Sequence, residues 1–423
     1  MTIPPVCLVI TFGYKNNIIR ISCHCYLQPG SIMKNVVIVQ RIVCEYRKAF
    51  FSVLQKELAD RNINLSLIVG TPRPGEESID VLDSLPFGQR LPTTYFYKKT
   101  CWIHRLYATA KTADMVVVVQ ENSALYTYPL LITRLFGKTT ASRIGFWGHG
   151  ANMGRVNSRI LPDKWRKFWQ TRVDWWFAYT NKTKQILTNT GVNSNRITVV
   201  NNSTDTDSLR NIVNKKQQQA SQLFSKIFNC RKNNKTRVGI FCGRLIESKM
   251  ITFLLESISQ IHRQLPDFFM IIVGDGPLHA EVEQFCANNS WCRWVGAKWS
   301  GDRADYLAIA DIWLNPGAVG LAVTDAFAVG LPLATTDNKT HGPEIEYLKN
   351  KKNGLITPPI VKNYTVEILQ LLTNDSLLQQ TRKEAANDGL KYSVDSMAAR
   401  FASGIEACLS IDKARFGLFK LKR

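Results

Sequence analysis

Two cations stand five residues apart in a setting suited to phosphate. Arg244 and Lys249 follow the apolar run 238–241 through Gly243 and precede a helical pattern over 250–265. A guanidinium offers a planar fork for phosphate oxygens, and an ammonium adds a point charge. Beside a helix N-terminus, where backbone N–H groups gather, the pair suits a diphosphate. Taken alone, the same pair reads first as a solvated surface feature. A tight turn, Gly274-Asp275-Gly276-Pro277, follows the apolar run 268–273. A third stretch, 316–337, places Gly317 and Gly320 where the short strand 311–314 ends. A helical pattern begins at Leu321 and carries Asp325 in its first turns; Gly330 and Pro332 close it, and a strand pattern over 331–335 follows. This is a βαβ unit whose helix N-terminus faces the carboxyl edge of its sheet.

The first half of the chain repeats the arrangement. The apolar run 36–39 leads to Arg41, Tyr46 and Arg47; the run 114–120 leads to Glu121; the run 142–147 leads to His149 and Asn152. Each residue alone is an ordinary loop residue. Three polar loops at strand ends together mark the ligand crevice of an open α/β sheet.

The elements behind these loops alternate. Strand patterns at 36–39, 65–69, 114–120, 142–147, 175–179 and 197–200 are separated by helical patterns at 45–62, 124–136 and 182–190. In 45–62, Phe50, Phe51, Val53, Leu54 and Leu58 fall on one face. Asp207 reads as the cap of a Gln- and Lys-rich helix reaching Phe228, and a second array of strands and helices follows through 314. Continuous apolar strands between helices predict parallel sheets covered on both faces.

At 423 residues the chain is long enough for two cores. The expected division is an N-terminal extension over 1–33, a first domain over 34–205, a second over 206–390, and a C-terminal helix and basic tail over 391–423. The formal net charge is +21, and no acidic residue occurs from Ser208 to Ile246. Such a balance favours a polyanionic partner. The ten cysteines show no C-x-x-C spacing. Cys23-His24-Cys25 is too tight for a zinc set, and Cys44 and Cys242 read as small buried hydrophobes, which suits a reducing cytoplasm. No run approaches the roughly 20 apolar residues of a membrane span. The segment 161–176 is rich in Lys, Arg and Trp; it fits either a membrane interface or a helix that buries its tryptophans against a sheet.

The ordered series Gly243-Arg244-Leu245…Lys249, Gly274-Asp275-Gly276-Pro277, Asn315-Pro316…Gly320-Leu321…Asp325-Ala326…Gly330-Leu331-Pro332 resembles the retaining glycosyltransferases of family four, of GT-B architecture. The segment 199–205 resembles the close of that family's first domain. The resemblance runs from about 36 to 390 and is densest in the second half. It implies two Rossmann-like domains facing across a cleft, the second holding a nucleotide-diphosphate sugar and the first the acceptor. It further implies that Arg244 and Lys249 hold the donor diphosphate, that the turn 274–277 lies near the nucleotide, and that His149 lies beside the transferred sugar. Asp325 corresponds to the acid near the donor ribose, and Glu344 to an acidic position after the following strand. The chain departs from the pattern at Gly317, where the family carries the acid that touches the donor sugar.

The implied reaction transfers a glycosyl unit to a hydroxyl with retention, with no metal and no cofactor. A non-catalytic nucleotide-sugar binder and a nucleotide-sugar epimerase share the architecture. No nucleic-acid motif accompanies the charge. The family context and the charge together lead us to expect a polyprenyl-diphosphate-linked glycan acceptor at the inner face of an anionic cytoplasmic membrane, in bacterial surface-polysaccharide assembly.

Overall fold

The computed structural model describes residues 33–411 except 75, 77–79, 98–99, 136–142 and 152–159. The expectations for the extension, for Cys23-His24-Cys25, for Asn152 and for the tail beyond Ile411 lie outside the described residues.

Runs of Val, Ile and Phe with no polar alternation form strands buried on both faces. In the first half these are β1 (Lys34–Gln40), β2 (Ile63–Gly70), β3 (Gly88–Leu91), a hairpin of β4 (Thr93–Tyr97) and β5 (Thr100–Ile103), then β6 (Met115–Val119), β7 (Arg143–Gly148), β8 (Trp175–Ala178) and β9 (Ile197–Val199). Seven of them make one sheet in the order β3-β2-β1-β6-β7-β8-β9, every neighbouring pair parallel. The second half supplies β10 (Arg237–Cys242), β11 (Phe268–Val273), β12 (Cys292–Trp294), β13 (Ile312–Leu314), β14 (Leu333–Thr336) and β15 (Gly354–Thr357). They form a second parallel sheet, β12-β11-β10-β13-β14-β15. The molecule therefore has the GT-B architecture of two Rossmann-like sets. In each sheet the strand order reverses beside its first strand, between β1 and β6 and between β10 and β13. Ligand crevices form at such switch points, outside the carboxyl ends of the strands.

The helix expected over 45–62 spans Glu45–Ala59, with Phe50, Phe51, Leu54 and Leu58 buried. The helix expected from Asp207 to Phe228 is two helices, Thr206–Gln217 and Ala220–Phe228. Its cap is Asp205, whose carboxylate accepts from Ser208 N–H at 3.2 Å, while Asp207 sits in the first turn and pairs with Arg210. The break lets Phe224 and Phe228 turn onto Phe269 of β11, with ring centroids 5.0 and 4.8 Å away. The short strands between 88 and 103 carry few of the continuous apolar residues by which the other strands are read.

The last helix, Val394–Ser410, does not belong with the second sheet that precedes it. It lies on Glu45–Ala59 and joins the first sheet's core through Met397, Ala398, Phe401, Ala402 and Ile405. The Phe401 ring stacks on Phe177 of β8 at 4.0 Å and meets Trp147 of β7 at 5.1 Å. Of the basic aromatic segment, Trp169, Trp175 and Trp176 are buried, whereas Trp165 is 45% exposed. Cys44 and Cys242 are only partly buried, in contrast to Cys101, Cys292 and Cys408.

Candidate functional site

The loops after β10, β11 and β13 lock together through backbone. Gly243 N–H donates to Val273 O at 3.0 Å, and Leu245 N–H to Asp275 O at 2.9 Å. The approach is so close that a Cβ on Gly274, at φ +144°, would stand 1.8 Å from Gly243 O. Only glycine permits that backbone and that contact. Gly276 and Pro277 complete the turn, and Asp275, exposed, accepts from Gly276 N–H at 2.7 Å.

Gly317 makes a second close approach. A Cβ there would lie 2.4 Å from Ser248 O and 2.4 Å from the Lys249 carbonyl carbon. Ala318 N–H donates to Ser248 O at 2.8 Å, so one backbone rests on the other. No side chain, acidic or otherwise, fits at 317 with this packing.

Arg244 is exposed, and its guanidinium has no partner among the described residues. Lys249 is mostly enclosed. Its ammonium donates to the carbonyls of Ala318 and Val319, and burial pushes its pKa down to about 8. Both cations thus follow β10 at its carboxyl edge, and Lys249 faces the Gly317–Gly320 loop after β13. The helix that follows Leu321 is Ala322–Ala328, only two turns long, so side-chain charge dominates the local field. His341 pins the same loop from below. Its Nδ1 accepts from Val319 N–H at 3.3 Å and its Nε2 donates to Thr336 O at 2.6 Å. Burial lowers its pKa, which keeps this neutral tautomer. A pocket of about 410 Å3 opens beside His341, between Lys182 and Asn338.

Asp325 is 7% exposed. Its two oxygens are taken by Thr204 Oγ1 at 2.7 Å and by Arg303 at 2.8 Å. Burial opposes the Arg303 charge, but Asp325 outweighs it and the guanidinium pKa is raised.

The segment 200–206 crosses from the first sheet to the second and is tied to both sides. Asn202 N–H donates to Tyr179 O at 3.0 Å, and Tyr347 Oη donates to Asn202 O at 3.2 Å. Ser203 Oγ donates to Tyr392 O at 2.6 Å. The Asn202 amide accepts from Arg47 at 2.6 Å and donates to Glu344 at 2.6 Å. A guanidinium can only donate and a carboxylate only accept, so the amide orientation is chemically fixed. Arg47, from the first domain, and Glu344, from the second, are thereby joined through one side chain.

His149 follows β7 and meets Tyr179 edge-on at 4.3 Å. Gln170 Nε2 donates to Gly150 O and holds the loop. Surrounding protein lowers the His149 pKa against the raising influence of Glu344 and Glu121, so the imidazole is neutral near pH 7. Among the first-domain candidates, Arg47 is buried between the rings of Tyr46 and Trp147, each 5.0 Å away. Tyr46 is 46% exposed. Arg41 is paired with Glu76 at 2.5 Å, which makes it a brace for that loop rather than a free cation. Glu121 is exposed and accepts from Ser123 Oγ at 3.3 Å. Asn202, Thr204 and Arg303 escaped the sequence reading. The signal for the first two is the polar run Asn201-Asn202-Ser203-Thr204-Asp205 after a buried strand, in the segment that resembles the close of the family's first domain.

Residues 225–388 match the family model described as Glycosyl transferases group 1. Among solved structures, the chain is similar to a glycosyltransferase from Rickettsia africae ESF-5 (TM-score 0.67, 14% identity, covering 90% of this chain and 99% of that one). It is similar to Anabaena Alr3699/HepE, solved with UDP-glucose (TM-score 0.62, 13% identity, 88% and 99%). It is also similar to a mutant of S. aureus TarM, solved with Fondaparinux, alpha-GlcNAc-glycerol and UDP (TM-score 0.59, 12% identity, 90% and 100%). No curated protein sequence matches the chain.

Proposed function

We propose, from the match of residues 225–388 to the Glycosyl transferases group 1 family model, that the protein moves a glycosyl unit from a nucleoside-diphosphate sugar to an acceptor hydroxyl with retention of configuration. The observation that carries this reading is the presence, in the loop that leaves β10 at the β10/β13 switch point, of an unpartnered Arg244 and of Lys249, whose enclosed ammonium rests on the Ala318 and Val319 carbonyls.

In the reaction the bond from the anomeric carbon to the donor phosphate oxygen breaks, and a bond to the acceptor oxygen forms on the same face. The acceptor proton passes to the leaving phosphate. Negative charge grows on that phosphate, and Arg244 and Lys249 stabilise it, usually the largest catalytic contribution. His149, neutral, serves as a hydrogen-bonding partner beside the sugar. Asp325, braced by Arg303, stands on the donor ribose side.

UDP-glucose is the first donor to try, since UDP-glucose is present in the Anabaena HepE structure. The test is a donor panel scored by nucleoside diphosphate release, with the anomeric coupling of the product read by NMR. Inversion would overturn retention; an isomerised donor without released nucleotide would make the protein an epimerase. Binding without turnover on every donor and acceptor would make it a sugar-nucleotide binder.

For the acceptor the reading is a polyprenyl-diphosphate-linked glycan at the inner face of an anionic membrane, in bacterial surface-polysaccharide assembly. The formal charge of +21 supports it, as does exposed Trp165 flanked by exposed Lys164 and Lys167. The attachment we propose is peripheral; among the described residues no helix is long and apolar enough to cross a membrane. Flotation with anionic liposomes at low salt is the expected result; no flotation would remove the membrane from the reading.

A further inference from the structure

Resting on the glycosyl-transfer reading, we propose that Glu344 is the carboxylate that recognises the transferred sugar, accepting a hydroxyl hydrogen bond through Oε2, and that Asn202 is the residue that positions it. Position 317 cannot supply such a group. Its missing side chain is excluded by the Ser248–Lys249 backbone, not merely absent from the sequence.

Glu344 has the features that 317 lacks. It is 3% exposed, so its charge is held in place by protein rather than by bulk water. Oε1 accepts from Asn202 at 2.6 Å. Oε2 accepts no hydrogen bond from the described residues, yet it is not among the fully enclosed unsatisfied atoms, so it keeps an opening to solvent. An ionised carboxylate oxygen can only accept, so a ligand hydroxyl entering that opening can donate to it in place of water. The oxygen lies against Gly342, which itself approaches Gly320 of the donor loop. A Cβ on Gly342 would stand 2.6 Å from Oε2 and 3.9 Å from the Gly320 Cα. It is also within electrostatic reach of His149 across the cleft. A carboxylate repels the diphosphate, so the group it faces is the neutral, hydroxyl-bearing part of the donor.

The support is rigid. Asn202 is clamped at its side chain by Arg47 and at its backbone by Tyr179 and Tyr347. Arg47 in turn is sandwiched by aromatic rings. A contact residue held this way is preorganised for its partner.

Glu344→Gln is the decisive variant, because a glutamine carbonyl still accepts from Asn202 while its NH2 replaces Oε2 with a donor. Calorimetry measures UDP, GDP and dTDP, each alone and as its glucose or mannose conjugate. Wild type is expected to bind its cognate conjugate more tightly than the bare nucleotide. E344Q is expected to keep the bare-nucleotide affinity and lose the sugar increment by about tenfold or more. Asn202→Ala is expected to lose the same increment, and the double variant no more than either single one, since both act through one contact. An unchanged increment in E344Q overturns the proposal, as does equal loss of nucleotide and conjugate with a lowered melting temperature. If wild type binds none of these nucleotides, the transferase reading itself fails, and that outcome is distinct from the other two.

Discussion

Lys249 is the residue whose chemistry the fold changes most usefully. Enclosure brings its pKa from an ordinary 10.5 to about 8, because its charge has lost water and gained only carbonyl oxygens. Near pH 7 about nine-tenths of the free enzyme therefore carries the ammonium; at pH 9 about one-tenth does. Since kcat/KM reports the ionisation of the free enzyme, donor kcat/KM should fall about tenfold from pH 7 to pH 9. A bound diphosphate restores the charge, so UDP binding at pH 8 should take up about half a proton per site. Calorimetry in two buffers of different ionisation enthalpy reads this uptake. Lys249→Met should abolish it and weaken UDP binding. The stability sign is fixed by the same shift. The folded pKa lies below the unfolded one, so the unfolded chain binds more protons between about pH 8 and 10.5, and stability rises with pH across that window. K249M should lack the rise. A wild-type kcat/KM flat to pH 10, or proton uptake unchanged in K249M, would refute the argument.

Arg244→Ala should cut turnover about 100-fold or more through lost charge stabilisation, with an unchanged melting temperature because the guanidinium has no partner among the described residues; near wild-type turnover would reject its phosphate role. Gly317→Ala should already be destabilising, and Gly317→Glu should fail to accumulate as folded protein, since the first side-chain carbon meets the Ser248–Lys249 backbone; wild-type thermal stability in either would show that the two loops part freely. Phe401→Ala should cost about 3–5 kcal/mol in denaturant titration, because it empties the stack on Phe177 and Trp147; a loss under about 1 kcal/mol would mean the last helix is not part of the first core. Arg303→Met should destabilise by about 3 kcal/mol by leaving Asp325 with Thr204 alone; an unchanged unfolding midpoint would show that the pair is dispensable.

The strands that read most easily are those that chemistry over-determines. The Met-Val-Val-Val-Val of 115–119 and the Phe-Phe-Met-Ile-Ile-Val of 268–273 are short, rich in β-branched or aromatic residues and apolar on both faces, as strands of a doubly covered parallel sheet are. Arg244, Lys249 and the turn 274–277 come to one edge of the second sheet for a related reason. They follow such strands directly, so strand order alone brings them to one edge. The hairpin of β4 and β5 and the edge strand β3 were not legible, since short half-exposed strands carry no such run.

What tertiary structure decided lies at long separation. In the sequence, Gly317 is a missing acid; in the fold, it is the residue that lets the backbone at 318 rest on the backbone at 248. Arg41 and Arg47 are similar cations after β1 by pattern, yet one braces Glu76 and the other, in the first turns of the following helix, anchors the bridge through Asn202 to Glu344. The two links of that bridge join residues 155 and 142 positions apart. Local periodicity reports which face of an element is apolar, and that is enough to lay out two sheets. It carries no record of which polar side chain from one domain meets which from the other, because those meetings depend on how the packed layers stand once the chain has folded back on itself.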